Sequence, residues 1–193
     1  MHATQPSDRR TKILEAALAC FLEHGYAATS IADIRAASGA STGSIYHFFS
    51  GKPALALALV ERAVAGWSAA AAEAFAPDVT PERAIKASVA GLVTWGLAHP
   101  GEVRFIDEIR TLQSSDPALA RLLGAFDDGR DTGRALYDRW AAQGHVRPLP
   151  WPLAHALMLG PAYDFLRLAR LLPAQADAAE TLAEAAWAAV RAN

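Results

Sequence analysis

Apolar positions along this chain recur at helical spacing almost from end to end, and no stretch alternates in the two-residue rhythm of a half-buried strand. Ile13, Ala17 and Phe21 form the stripe of a first amphipathic helix, which exits at Gly25-Tyr26. Ile31 and Ile34 continue the rhythm in a short second helix, headed by Thr29 and by Ser30, which with Asp33 fits a capping box. Gly39 stops that helix, because glycine tolerates the left-handed backbone that closes a helix end, and Ser41 beyond it can cap another. A third helix therefore starts near Thr42, with Ile45, Phe48 and Phe49 turned inward.

From Pro53 onward every long segment keeps a helical pattern, cut by Ala76-Pro77-Asp78, His99-Pro100-Gly101, Ser115-Asp116-Pro117, Gly144, the Pro148 to Pro152 run and Leu172-Pro173. Six further helices are expected, near 51–75, 81–98, 101–112, 117–143, 152–171 and 174–191. The expectation is an all-α chain of about nine helices, with a three-helix module over 1–52 and a larger helical domain over 53–193.

Two short helices crossed at a tight turn can present one of them to the DNA major groove. On the third helix the outward positions are Thr42, Gly43, Ser44, Tyr46 and His47, all small, hydroxylated or aromatic. Glycine inside a helix costs about 0.5–1 kcal/mol relative to alanine, so Gly43 suggests close approach of another surface. Lys52 falls in the first turn of the next helix, capped by Ser50, where the macrodipole disfavours a cation unless a phosphate is bound there.

From Arg9 to Leu55 the order of residue types resembles the DNA-binding domain of the tetracycline-repressor-like (TetR) family of bacterial transcriptional regulators. The likeness rests on the first-helix stripe, Gly25-Tyr26, Thr29, Ile31-Ala32, Gly39, Ser41, Gly43, Tyr46, Phe49, Lys52 and Leu55; Ser38 and Ala40 depart from the usual alanine and valine. The resemblance implies that Thr29 and Lys52 hold phosphates, that Ser30 beside Thr29 is also a DNA-binding residue, and that Tyr46 contacts the DNA backbone. Ser41 to Ser44 with His47 would then read bases of double-stranded operator DNA.

The same resemblance implies a homodimer whose last two helices form a four-helix bundle with their copies. The residues expected there are Leu153, Leu157, Gly160 and Asp164 on one helix, and the short stripe Leu182, Ala186, Ala189 and Val190 on the other. It also implies a repressor released by a small-molecule effector, here a largely apolar one. Trp67, Trp95, Phe105 and Phe126 are candidate pocket residues, as are Tyr137, Trp140, Met158 and Tyr163. Polar groups available to orient such a ligand include His99, Arg104, Asp107, Glu108, Arg110, Gln113 and Asp164. A regulator insensitive to small molecules is the alternative.

Composition narrows the remaining classes. With 193 residues and 52% hydrophobic content the chain can hold a small module and a sizeable core. A net charge of −2 argues against a general polyanion binder, so affinity for DNA must come from the placement of Arg9, Arg10, Lys12, Arg35 and Lys52. No long apolar span or leader pattern is present, which makes a cytoplasmic protein without membrane contact the expectation. The six histidines are scattered and Cys20 is the lone cysteine, so neither a metal site nor a cofactor is expected. Gly39-Ala40-Ser41-Thr42-Gly43 does match the G-x-S-x-G string of hydrolases, but that chemistry needs a strand before the serine. An enzyme is therefore not expected.

Overall fold

The computed structural model describes residues 6–76, 78–112, 117, 119–120, 127–171 and 176–192. Among them are nine α-helices and no named strand: α1 (Pro6–His24), α2 (Ile31–Ser38), α3 (Thr42–Phe48), α4 (Lys52–Ala70), α5 (Pro81–Ala98), α6 (Pro100–Leu112), α7 (Asp127–Ala142), α8 (Trp151–Leu168) and α9 (Ala178–Val190). The all-α expectation holds. Short 3₁₀ turns follow α4 at Ala72–Phe75 and α8 at Ala169–Leu171, which is where the expected helices ran a few residues too far. No described helix is long and apolar enough to cross a membrane.

The chain folds as two compact units, 1–63 with 101–125 and 64–100 with 126–193. α6 supplies one wall of the first unit. Phe105 stacks on Phe21 at 5.4 Å between ring centroids, and both are fully buried. Tyr26 packs against the same ring at 5.3 Å, and Ile13, Leu14, Ala17, Ile34, Ile45, Leu55 and Ile109 complete the core. Phe105 therefore belongs to this core.

In the second unit α5 is the central rod, burying Ala84, Ile85, Val89, Leu92, Val93 and Trp95. Proline follows its Thr80 cap, whose hydroxyl accepts the Arg83 N–H and so satisfies one of the free donors at a helix start. α9 packs on α5 and α8, and Gly91 lets α5 press onto the end of α4: a Cβ there would lie 2.8 Å from the Ala71 backbone. The loop after α7 pairs with the end of α9 through Arg147 N–H to the Val190 carbonyl (2.8 Å) and Ala192 N–H to the His145 carbonyl (3.2 Å). Tyr137, buried, donates its hydroxyl to the Arg147 carbonyl at 2.8 Å.

Candidate nucleic-acid interface

The turn between α2 and α3 is built as glycine chemistry requires. Gly39 closes α2 at φ 65°, in the left-handed region, and its N–H donates to the Arg35 carbonyl. At the other end of α2 the Ser30 hydroxyl accepts the Asp33 N–H, while the Asp33 carboxylate accepts the Ser30 N–H at 2.8 Å. These donors hold the Asp33 carboxyl below its ordinary range, with the Ser30 hydroxyl contact the larger cause. Ser41 then caps α3 by accepting the Ser44 N–H at 3.1 Å. Each helix is only two turns long, so without these caps little would hold either one.

On α3, Ile45 is fully buried and anchors the helix, Phe49 just beyond the helix end is 4% exposed, and Phe48 is half-buried. Thr42, Gly43 and His47 are exposed, Ser44 is half-buried, and Tyr46 is 53% exposed, a large aromatic surface left in water. A Cβ on Gly43 would meet nothing within 4 Å. Nothing among the described residues therefore accounts for glycine at this helical position.

Two residues expected to touch phosphate do something else here. Thr29 is 2% exposed, and its hydroxyl lies 2.8 Å from the Gly25 carbonyl and 3.1 Å from that of Cys20. It seals the end of α1 from inside. Lys52 Nζ donates to the carbonyls of Tyr26, Ala27 and Thr29 at 2.8, 2.9 and 2.9 Å, and sits 4.7 Å from the centre of the Tyr26 ring. An ammonium has three donors, and here all three are used. The partner that reverses the macrodipole argument is thus a loop of carbonyls, and the residue preceding α4 is Gly51, whose carbonyl accepts the Leu55 N–H, in place of the expected Ser50 cap.

Sequence reasoning also missed the part played by α6. The Glu108 carboxylate accepts the Tyr26 N–H at 2.7 Å, and the Arg104 guanidinium donates to the Leu22 carbonyl at 2.7 Å. Both had been candidates for orienting a ligand. Separations of 82 residues hide such pairs from any local pattern.

Cys20 is buried, with its thiol pushed up in pKa by burial and then by Asp33 and Glu23, the setting of an inert packing residue. Ser41 stands between two helices with its hydroxyl engaged as a cap, and no strand precedes it, which removes the context a nucleophile elbow needs.

Residues 13–59 match the sequence model of bacterial regulatory proteins of the tetR family. That segment is thus of the tetR-family type. Over 55 residues it is 44% identical to the HTH-type transcriptional repressor AcnR of Corynebacterium glutamicum, a match covering 28% of this chain and 29% of that protein. Over 49 residues it is 43% identical to the HTH-type transcriptional repressor KstR2 of Rhodococcus jostii, covering 25% and 24%. The matched segment thus spans under a third of the length of these curated relatives.

The fold likeness extends further. A TetR family transcription regulator from Marinobacter aquaeolei VT8 superposes with a TM-score of 0.75 at 21% identity, over 96% of each chain. The ketosteroid transcriptional regulator KstR2 of Mycobacterium tuberculosis does so at 0.72 and 20%, over 99% of each. The tetR-family fold therefore embraces both units, while sequence likeness is concentrated in the segment that carries α2, its turn and α3.

In the second unit Trp95, Tyr137, Trp140 and Met158 are buried, and Trp67 and Tyr163 are half-buried; Phe126 lies outside the described residues. Trp67 Nε1 donates to the Ser88 carbonyl at 3.3 Å, and His99 stacks on Trp95 with its Nδ1 2.8 Å from the Trp95 carbonyl. On α8, Leu153 is 48% exposed, Leu157 and Gly160 are half-buried, and Asp164 is exposed and ion-paired with Arg167. On α9, Leu182 and Ala189 are half-buried, but Ala186 and Val190 are buried in their own subunit at 2% and 0%. An alanine stripe suits inward packing as well as outward, and these two positions take the former.

Proposed function

We propose that this chain is a tetR-family, sequence-specific DNA-binding transcriptional regulator, a homodimeric repressor that leaves its operator when a small, largely apolar effector binds. The observation that carries the DNA reading is the exposed face of α3, where Gly43 is bare, Tyr46 is half in water and a hydroxyl or ring stands at every neighbouring position. Thr42, Ser44, Tyr46 and His47 supply groups for base edges and phosphates, with Ser30 and Ser41 beside them. Thr29 and Lys52 serve by fixing the end of α1.

Dimerisation is supported by α8, whose Leu153, Leu157 and Gly160 leave an apolar strip uncovered and whose Gly160 has open space where a Cβ would be. Leu182 and Ala189 of α9 remain available to the same interface. A twofold dimer then reads two half-sites about 34–36 Å apart or a multiple of that. The aromatic side chains of the second unit favour an apolar effector, acting by differential affinity for two arrangements of the subunits, typically 1–3 kcal/mol.

The test is selection of bound duplexes from a random pool, with the mass of the bound species measured by light scattering. A two-part, inverted-repeat site held by a dimer supports the reading; no enrichment, or binding by a 20.5 kDa monomer alone, contradicts it.

A further inference from the structure

We infer that the effector of the second unit is an uncharged molecule whose carbonyl or ether oxygen takes the indole N–H of Trp95, an inference that rests on the effector reading above. Two ring donors of that unit are already used: Trp67 Nε1 donates to the Ser88 carbonyl at 3.3 Å, and the Tyr137 hydroxyl to the Arg147 carbonyl at 2.8 Å. Trp95 and Trp140 differ. Each is about nine-tenths buried, and neither indole N–H has a partner among the described residues. No described side-chain nitrogen or oxygen that is sealed from solvent lacks a partner, so an atom the size of a water oxygen can reach both.

Gly66 on α4 singles out Trp95. A Cβ there would stand 2.5 Å from Trp95 Nε1 and 3.3 Å from the two ring carbons beside it, so the missing side chain clears the space in front of the N–H. His99 steadies the same indole, its ring stacked at 4.9 Å and 12°, with Nδ1 2.8 Å from the Trp95 carbonyl. A carbonyl can only accept, so Nδ1 carries the proton of that bond. Charge then decides the class of ligand. Every carboxylate among the described side chains of this unit is exposed, and no charged side chain there is buried. A cation would lose its water and gain no counter-ion, and an anion would find no buried cation, so an uncharged molecule with an acceptor gains most by entering.

Benzophenone tests this beside three molecules of related shape: diphenylmethane without the oxygen, benzhydrylamine as a cation and diphenylacetate as an anion. Binding to the full-length wild type and to Trp95→Phe would be measured by equilibrium dialysis, with the indole N–H resonances followed by NMR. The ketone is expected to bind about five- to tenfold tighter than diphenylmethane, with both ions weaker still. Trp95→Phe should abolish that preference and leave diphenylmethane affinity unchanged, and the resonance absent from this variant should be the one that benzophenone shifts most. The ranking in wild type needs no variant, so it decides even if Trp95→Phe fails to fold. No binding of benzophenone, equal binding of diphenylmethane, a preference for either ion, or a preference that survives Trp95→Phe would overturn the assignment and leave the effector reading standing. A selected duplex that stays bound whatever apolar compound saturates the protein would instead remove that reading, and this inference with it.

Discussion

Glu108 on α6 accepts the backbone N–H of Tyr26 at 2.7 Å, which fastens the exit of α1 to a helix 82 residues downstream. Gly25 makes the contact possible. It turns the chain at φ 81°, and a side chain there would come within 3.2 Å of the Glu108 carboxylate. Beside it Arg104 holds the Leu22 carbonyl, so the mount of the recognition head has four polar struts: Glu108, Arg104, Thr29 and Lys52.

Removing the Glu108 strut should be measurable as stability. Glu108→Ala leaves the Tyr26 N–H without its charged acceptor, a loss of about 1–2 kcal/mol, whereas Glu108→Gln keeps an oxygen in place and loses less. Urea unfolding midpoints compare the three proteins. An alanine variant within a few tenths of wild type would show that water replaces the carboxylate at no cost.

Thr29 distinguishes an internal strut from a phosphate contact. Thr29→Val keeps the shape and removes the hydroxyl, so the unfolding free energy should drop by about 1 kcal/mol while Thr29→Ser stays near wild type. Salt dependence of DNA binding should be the same in all three. A flattened salt slope in the valine protein would return the hydroxyl to the DNA surface.

The Ser30 and Asp33 box predicts an acid-sensitive start to α2. Because the folded carboxyl titrates below its ordinary value, its contribution is fully present above the unfolded value of about 4 and fades as pH falls through the lower, folded one. Unfolding midpoints of wild type and Ser30→Ala taken at about pH 5 and about pH 3 should therefore converge at the acid end. A gap between the two proteins that is as wide at about pH 3 as at about pH 5 would contradict this.

Two glycines of the second unit should respond oppositely to alanine. Gly91→Ala drives a methyl into the Ala70 and Ala71 backbone, which cannot rotate away, and should destabilise by about 3 kcal/mol or block folding. Gly160→Ala meets open space and should raise stability by about 0.5–1 kcal/mol in the isolated subunit. Analytical ultracentrifugation adds the second half: if α8 pairs with its copy, the Gly160 variant dimerises more weakly, and unchanged association would place the interface elsewhere.

The helical architecture and the recognition turn were legible because their signals are local. Gly39, the Ser30 and Asp33 box and the Ser41 cap all act within four residues of their partners, and they and the inward Ile45 are found where the pattern put them. The internal acceptors of Thr29 and Lys52 were not legible, because residue type reveals a donor without revealing which acceptor it meets. For Lys52 the acceptors are main-chain carbonyls 23 to 26 residues earlier, which leave no mark on the sequence. Phe105 and Glu108 were read with the ligand domain for the same reason, since only the folded chain brings α6 beside Phe21 and Tyr26.

The most direct test of α3 as the reading helix is Gly43→Ala, followed by thermal unfolding and by fluorescence anisotropy with the selected duplex. With nothing within 4 Å of the new methyl, the free protein should gain about 0.5–1 kcal/mol from better helix propensity. Affinity for the duplex should nevertheless fall by about tenfold or more, a penalty of at least roughly 1.4 kcal/mol. A variant that is more stable and binds its duplex as tightly as wild type would contradict the claim that DNA closes over this face.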